Sequence, residues 1–79
     1  MNSFNPVKKI NFIVKKSESV TLKVYNILGK EVETIFKGVA EAGHTYEFNF
    51  DGADLSSGLY FYTLKSGSFN STRKMLLLK

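Results

Sequence analysis

The sequence predicts an all-β fold, a sandwich of six or seven short, mainly antiparallel strands. Three observations carry this. Apolar and polar residues alternate with period two in several short segments. Turn residues punctuate the chain about every 8–12 residues, the rhythm of sandwiches and small barrels. No segment reads as a helix with caps and sufficient length.

At 79 residues the chain makes one domain. A chain this short buries only about 60% of its unfolded surface, close to the lower limit for independent folding. With no Cys, neither a disulfide nor a thiolate metal site can staple it. Seven Phe and four Tyr supply a core from few side chains.

The elements follow in order. Pro6 sets its own φ and biases Asn5 to extended geometry, which suits the start of an edge strand. Over residues 9–15, Ile10, Phe12 and Val14 share one face, while Lys9, Asn11 and Lys15 share the other; Ile13 breaks the pattern. A polar turn over 15–19 leads to the cleanest alternation, with Val20, Leu22 and Val24 inward and Thr21 and Lys23 outward. Tyr25-Asn26-Ile27-Leu28 extends this strand with apolar residues on both faces, as expected near the middle of a sandwich.

Gly29 is the residue expected at positive φ in the next turn. Val32, Ile35 and Phe36 show helical spacing, but the glycines at 29 and 38 leave only about two turns, marginal for a helix. A short, bulged strand is the preferred reading. A loop from Gly38 to Gly43 precedes a strand with Tyr46, Phe48 and Phe50 on one face. Asp51 to Gly58 is small and polar except for Leu55, expected to plug the core from a short helical turn.

The last two strands, Leu59–Leu64 and Phe69–Leu78, flank a Lys-Ser-Gly-Ser turn, a hairpin signal. Both are apolar on two faces. The faces of Tyr60 and Met75 are expected to point inward, leaving Phe61, Leu76 and Leu78 partly exposed or covered by something else. The Tyr60 hydroxyl is placed to bond backbone, as corner tyrosines do.

No reactive constellation is present. His44, the single imidazole, has no orienting partner in any recognised motif and reads as a surface residue. Asp51 and Asp54 lack the alternating carboxylates of a calcium loop; Asx turns and capping account for them. Gly29-Lys30 lacks the remainder of a phosphate loop. The aromatics are needed for the core, which argues against a single-strand nucleic-acid surface. No catalytic, cofactor-binding or metal site is expected, and the natural remainder is a binding, targeting or structural module.

The net charge is +4, with Lys8, Lys9, Lys15, Lys16 and Lys23 against the one acid Glu18 before position 24. An anionic partner would suit this; solvated faces and edge lysines that discourage strand addition are preferred. No apolar run of ~18 residues exists, so membrane insertion by a helix is not expected. Met1-Asn2-Ser3 opens no signal peptide.

Three segments in combination resemble a known family: Asn5-Pro6 with Ile10-Asn11-Phe12; the run from Val20-Thr21-Leu22 through Ile27-Leu28-Gly29-Lys30 to Val32; and Leu55-Ser56-Ser57-Gly58-Leu59-Tyr60 closing on Arg73-Lys74-Met75-Leu76-Leu77-Leu78-Lys79. Together they are similar to the type A C-terminal sorting domain of the type IX (Por) secretion system, and to the related immunoglobulin-like domain of flagellar hook-capping proteins. The resemblance covers nearly the whole chain. Where family members read Asn-Pro-Phe-Asn-Pro, this chain has only Phe4-Asn5-Pro6, and residues 1–3 are read as foreign to the domain.

The resemblance implies an immunoglobulin-like sandwich of about seven strands that serves as a non-enzymatic targeting module at the end of a Bacteroidota protein. Its implied partners are an N-terminal cargo domain in cis, the outer-membrane translocon and the C-terminal signal peptidase. The route is through the periplasm, then out to the medium or the cell surface. Recognition is expected in the last two strands, at Gly58, Tyr60, Lys74, Met75, Leu77 and Lys79. For Gly58 and Tyr60, turn and core roles are the competing account. The alternative function is an immunoglobulin-like assembly module of an extracellular or hook-type structure.

Overall fold

A computed structural model describes residues 7–78 of the chain. It contains six strands and no helix: β1 (Val7–Ile13), β2 (Glu18–Tyr25), β3 (Glu31–Ala40), β4 (Thr45–Asp51), β5 (Gly58–Ser66) and β6 (Asn70–Leu77). They form two antiparallel sheets, a pair β1-β4 and a four-stranded sheet ordered β3-β2-β5-β6. The all-β sandwich expected from the sequence is present, with six strands among the described residues where about seven were expected.

The alternation in each strand selects the core. Ile10, Phe12 and Val14 from the first segment, Val20, Leu22 and Val24 from β2, and Phe50, Tyr60, Met75 and Leu77 are all buried in one cluster. Rings join the two layers: Phe12 of β1 meets Phe36 of β3 edge-on at 5.8 Å, while within its own sheet Phe12 stacks on its cross-strand partner Tyr46 of β4 at 5.1 Å. Phe36 also packs against Phe48 at 5.6 Å. Such geometry adds to the area term, about 0.5–1.5 kcal/mol per pair. Ile13, the residue that breaks the alternation, is exposed.

β3 resolves the helical-looking spacing. Leu22 pairs with Phe36 but Lys23 with Thr34, and Val24 pairs with Glu33 but Tyr25 with Glu31. Ile35 and Val32 are therefore extra residues, two bulges in one strand. Each bulge resets which face the next side chain takes, so Val32, Ile35 and Phe36 all reach the core without a helix. β3 is also longer than the sequence suggested. Gly38 to Ala40 continue the strand instead of opening a loop, and Ala40 is fully buried.

Two further expectations are corrected. β2 ends at Tyr25; Ile27 and Leu28 lie in the β2–β3 turn, exposed, because Asn26 redirects the backbone. Leu55 packs against the core from a turn closed by its amide on the Gly52 carbonyl (2.9 Å), with no helix. Gly29 has φ 81°, as expected.

The turns divide between two ends of the sandwich. At one end lie Val7, the β2–β3 turn, the β4–β5 connection and the end of β6, since Val7 pairs with Asp51 and Gly58 with Leu77. The β1–β2, β3–β4 and β5–β6 turns lie at the other. There Ser17 Oγ accepts the Ala42 amide (2.8 Å), and Ser68 Oγ donates to Glu18 (2.6 Å).

Candidate functional site: the closing hairpin

β5 and β6 pair residue for residue from Gly58–Leu77 to Lys65–Asn70 with no register shift. β6 is the outermost strand of its sheet, so its far side is unpaired among the described residues. The opposite edge, β3, is broken by two bulges, a recognised way of blunting an edge. β6 has no bulge, and its charged residues are the adjacent Arg73 and Lys74.

The hairpin separates the sequence candidates by position. Tyr60 and Met75 face each other across the strands and are both buried. The Tyr60 hydroxyl donates to the Ser56 carbonyl at 2.8 Å, the corner bond expected from the sequence. Gly58 begins β5 at φ 151°, and a Cβ there would meet no atom within 4 Å. Its requirement for glycine is conformational, not one of space. Leu77 is fully buried and rests on Gly52. Lys74 is exposed, opposite Phe61 on the outer face, and makes no ion pair among the described residues. Lys79 lies outside the described residues.

On the outer face of β6, Leu76 lies beside Lys74; Leu76 and Leu78, the residue just past the strand, are both about half exposed (53%). Leu59, directly opposite Leu76, lines a depression with Lys74 and Leu76 and a second one with Ile27 and Gly58. The motif positions do not single out Ile27, Leu28 or Gly52. The only signal for the first two is two aliphatic residues next to Gly29, where small polar residues are usual.

Elsewhere several polar groups have structural partners. Asp51 Oδ1 accepts the Ala53 amide at 2.9 Å, the Asx turn read from the sequence. Lys23 pairs with Glu31 at 3.1 Å; Thr34 donates to the same carboxylate at 2.7 Å, and these bonds hold Glu31 below the usual carboxylate range. His44 is exposed against the Tyr46 ring. Lys8 and Lys9 lie on β1, an edge strand, consistent with edge protection. Among the described residues no three acids or imidazoles are grouped to hold a metal.

The fold is a small antiparallel sandwich whose last strand lies at the edge of its sheet. The comparison with known families gives the particular one. The chain belongs to the secretion system C-terminal sorting domains, the targeting tails of type IX secretion, whose family model matches residues 5–78. No curated protein and no solved structure matches it significantly.

Proposed function

We propose that this domain is an export address read at its closing strands. It directs a cargo protein joined ahead of it from the periplasm through the outer-membrane translocon, and a C-terminal signal peptidase then removes it. The observation that carries this is the open β6 edge with Lys74, Leu76 and Leu78 on its outer face. An unpaired strand with exposed apolar residues suits strand addition or apolar docking. Gly58, Tyr60, Met75 and Leu77 hold that strand in register from beneath; Lys74, and with it Lys79, meets the receptor.

The test is export of a folded reporter fused to the domain. Removing residues 75–79 abolishes export. Because this also removes core residues, Lys74→Glu with Leu76→Ser is the companion variant, which leaves the core intact and still loses export. Normal export of both variants overturns the proposal.

A further inference from the structure

Register across the four-stranded sheet fixes what its outer face carries. Val20, Leu22 and Val24 point inward, so the alternate residues of β2, and those paired with them, point out. Among the described residues that face holds Lys23, Lys37, Lys65 and Lys74 and a single acid, Glu31, a net charge of +3 (four lysines less one glutamate). Glu33 and Arg73, one on each edge strand at inward-register positions, are exposed at the rims and cancel. The outer face of the β1-β4 pair carries Lys9 against Glu47 and Asp51, a net charge of −1 (one lysine less two acids). The two broad sides of the sandwich thus differ in sign, which the overall +4 does not reveal.

Aliphatic side chains share the basic face. Val39, paired with Ser19, is exposed at one end of it; Leu59 and Leu76, paired with each other, are exposed at the other. Leu78 follows just past β6, and Ile27 and Leu28 of the β2–β3 turn stand exposed at that same end. Cations bracketed by aliphatic groups suit an anionic lipid surface, where ammonium groups meet the headgroups and apolar groups enter the acyl boundary. A dissolved polyanion would satisfy the lysines and leave the aliphatic groups in water.

We propose that the outer face of the β3-β2-β5-β6 sheet adsorbs the domain flat onto a bilayer rich in anionic lipid. Lys37 and Lys65 reach the headgroup phosphates, and Val39 and Leu59 dip beneath them. Lys23 stays tied to Glu31 at 3.1 Å. Glu47 and Asp51, on the opposite side, face away into water. Adsorption is a property of the purified domain; it goes beyond the export reading and does not depend on it. The two fit together in space. The hydrogen-bonding edge of a strand lies in the plane of its sheet, so a sheet lying flat keeps the β6 edge open sideways, along the membrane.

Sedimentation of the purified domain with vesicles tests this, using phosphatidylcholine and phosphatidylglycerol in equal parts against phosphatidylcholine alone. Binding is expected to the mixed vesicles only, and it should weaken as salt rises. Lys37→Glu with Lys65→Glu should weaken it at least about thirtyfold, the loss of two lysine contacts. Lys8→Glu with Lys9→Glu makes the same change in net charge on β1, in the other sheet about 10 Å away. That control should leave binding within about threefold. Equal losses in the two variants would show an effect of net charge alone and overturn the face. The chain has no Cys, so a single introduced thiol can carry an environment-sensitive fluorophore with every native charge retained. Labelled Val39→Cys and Leu59→Cys should shift to the blue on the mixed vesicles. Labelled Ile13→Cys, exposed on the other sheet, should not. An equal shift at 13, no binding to the mixed vesicles, or binding to single-stranded DNA in their place overturns the proposal. None of these readouts uses export, so failure here leaves the export reading standing, and failure of that reading leaves this result untouched.

Discussion

Leu77 closes over Gly52: a Cβ on Gly52 would stand 2.6 Å from Leu77 Cδ1 and 3.5 Å from its Cγ. Both residues are buried, and this contact seats the last strand on the β4–β5 connection. The missing side chain at 52 is what leaves room for the Leu77 side chain in the core.

Gly52→Ala should therefore overpack this seat and destabilise the domain by about 1–3 kcal/mol. Leu77→Ala should cost about 2–5 kcal/mol through the cavity it leaves. The two costs are not additive, since the smaller residue at 77 makes room for the methyl at 52. Urea denaturation of the two single variants and the double variant measures the coupling; additive costs would refute the contact.

Tyr60→Phe removes the hydroxyl that donates to the Ser56 carbonyl at 2.8 Å and leaves the ring in the core. The expected loss is about 0.5–1.5 kcal/mol, the ordinary worth of a hydrogen bond. Thermal unfolding measures it. An unchanged midpoint would show that the corner bond contributes nothing.

Gly58 is extended at positive φ with open space around it, so its substitution isolates backbone strain. L-Alanine should cost roughly 1–3 kcal/mol. D-Alanine, for which that φ is ordinary, should be tolerated. The chain is short enough for chemical synthesis of both, and equal stability of the two would refute the strain argument.

Glu18 accepts a 2.6 Å hydrogen bond from Ser68 Oγ, which holds its carboxyl below the usual carboxylate range; Ser66 and Lys16 lower it further. A carboxylate depressed in the folded state stabilises above its unfolded pKa, and that contribution is lost as pH falls through the folded value. The site is exposed, so the contribution is small. An NMR titration should place the Glu18 midpoint below the ordinary range, and Ser68→Ala should move it upward. No movement would remove Ser68 as the main cause.

Much of the fold is legible in the chain because period-two alternation is a local property. Val20, Leu22 and Val24 declare their face without reference to any partner, and so do Tyr46, Phe48 and Phe50. β3 is only half legible. Its bulges are pairing events between two strands, so from one strand alone Val32, Ile35 and Phe36 look as much like a helix as a sheet. Ile27 and Leu28 mislead in the opposite direction: they continue a strand in the sequence, while Asn26 turns the backbone away beneath them.

Among the candidate site residues, the chemistry of each side chain is written in the sequence but its exposure is not. Alternation on the final strands assigns Met75 and Leu77 to one face, Leu76 and Leu78 to the other. That Leu76 faces Leu59, and that Leu59 borders Ile27, depends on registers between distant segments. The sequence alone determined an all-β, cysteine-free domain with a two-faced closing hairpin, since those features follow from residue type and spacing. Tertiary structure alone decided the seat of Leu77 on Gly52, the open β6 edge and the gathering of exposed aliphatic groups at one end. Each of these requires segments remote in sequence to be brought into contact by the burial of a shared core.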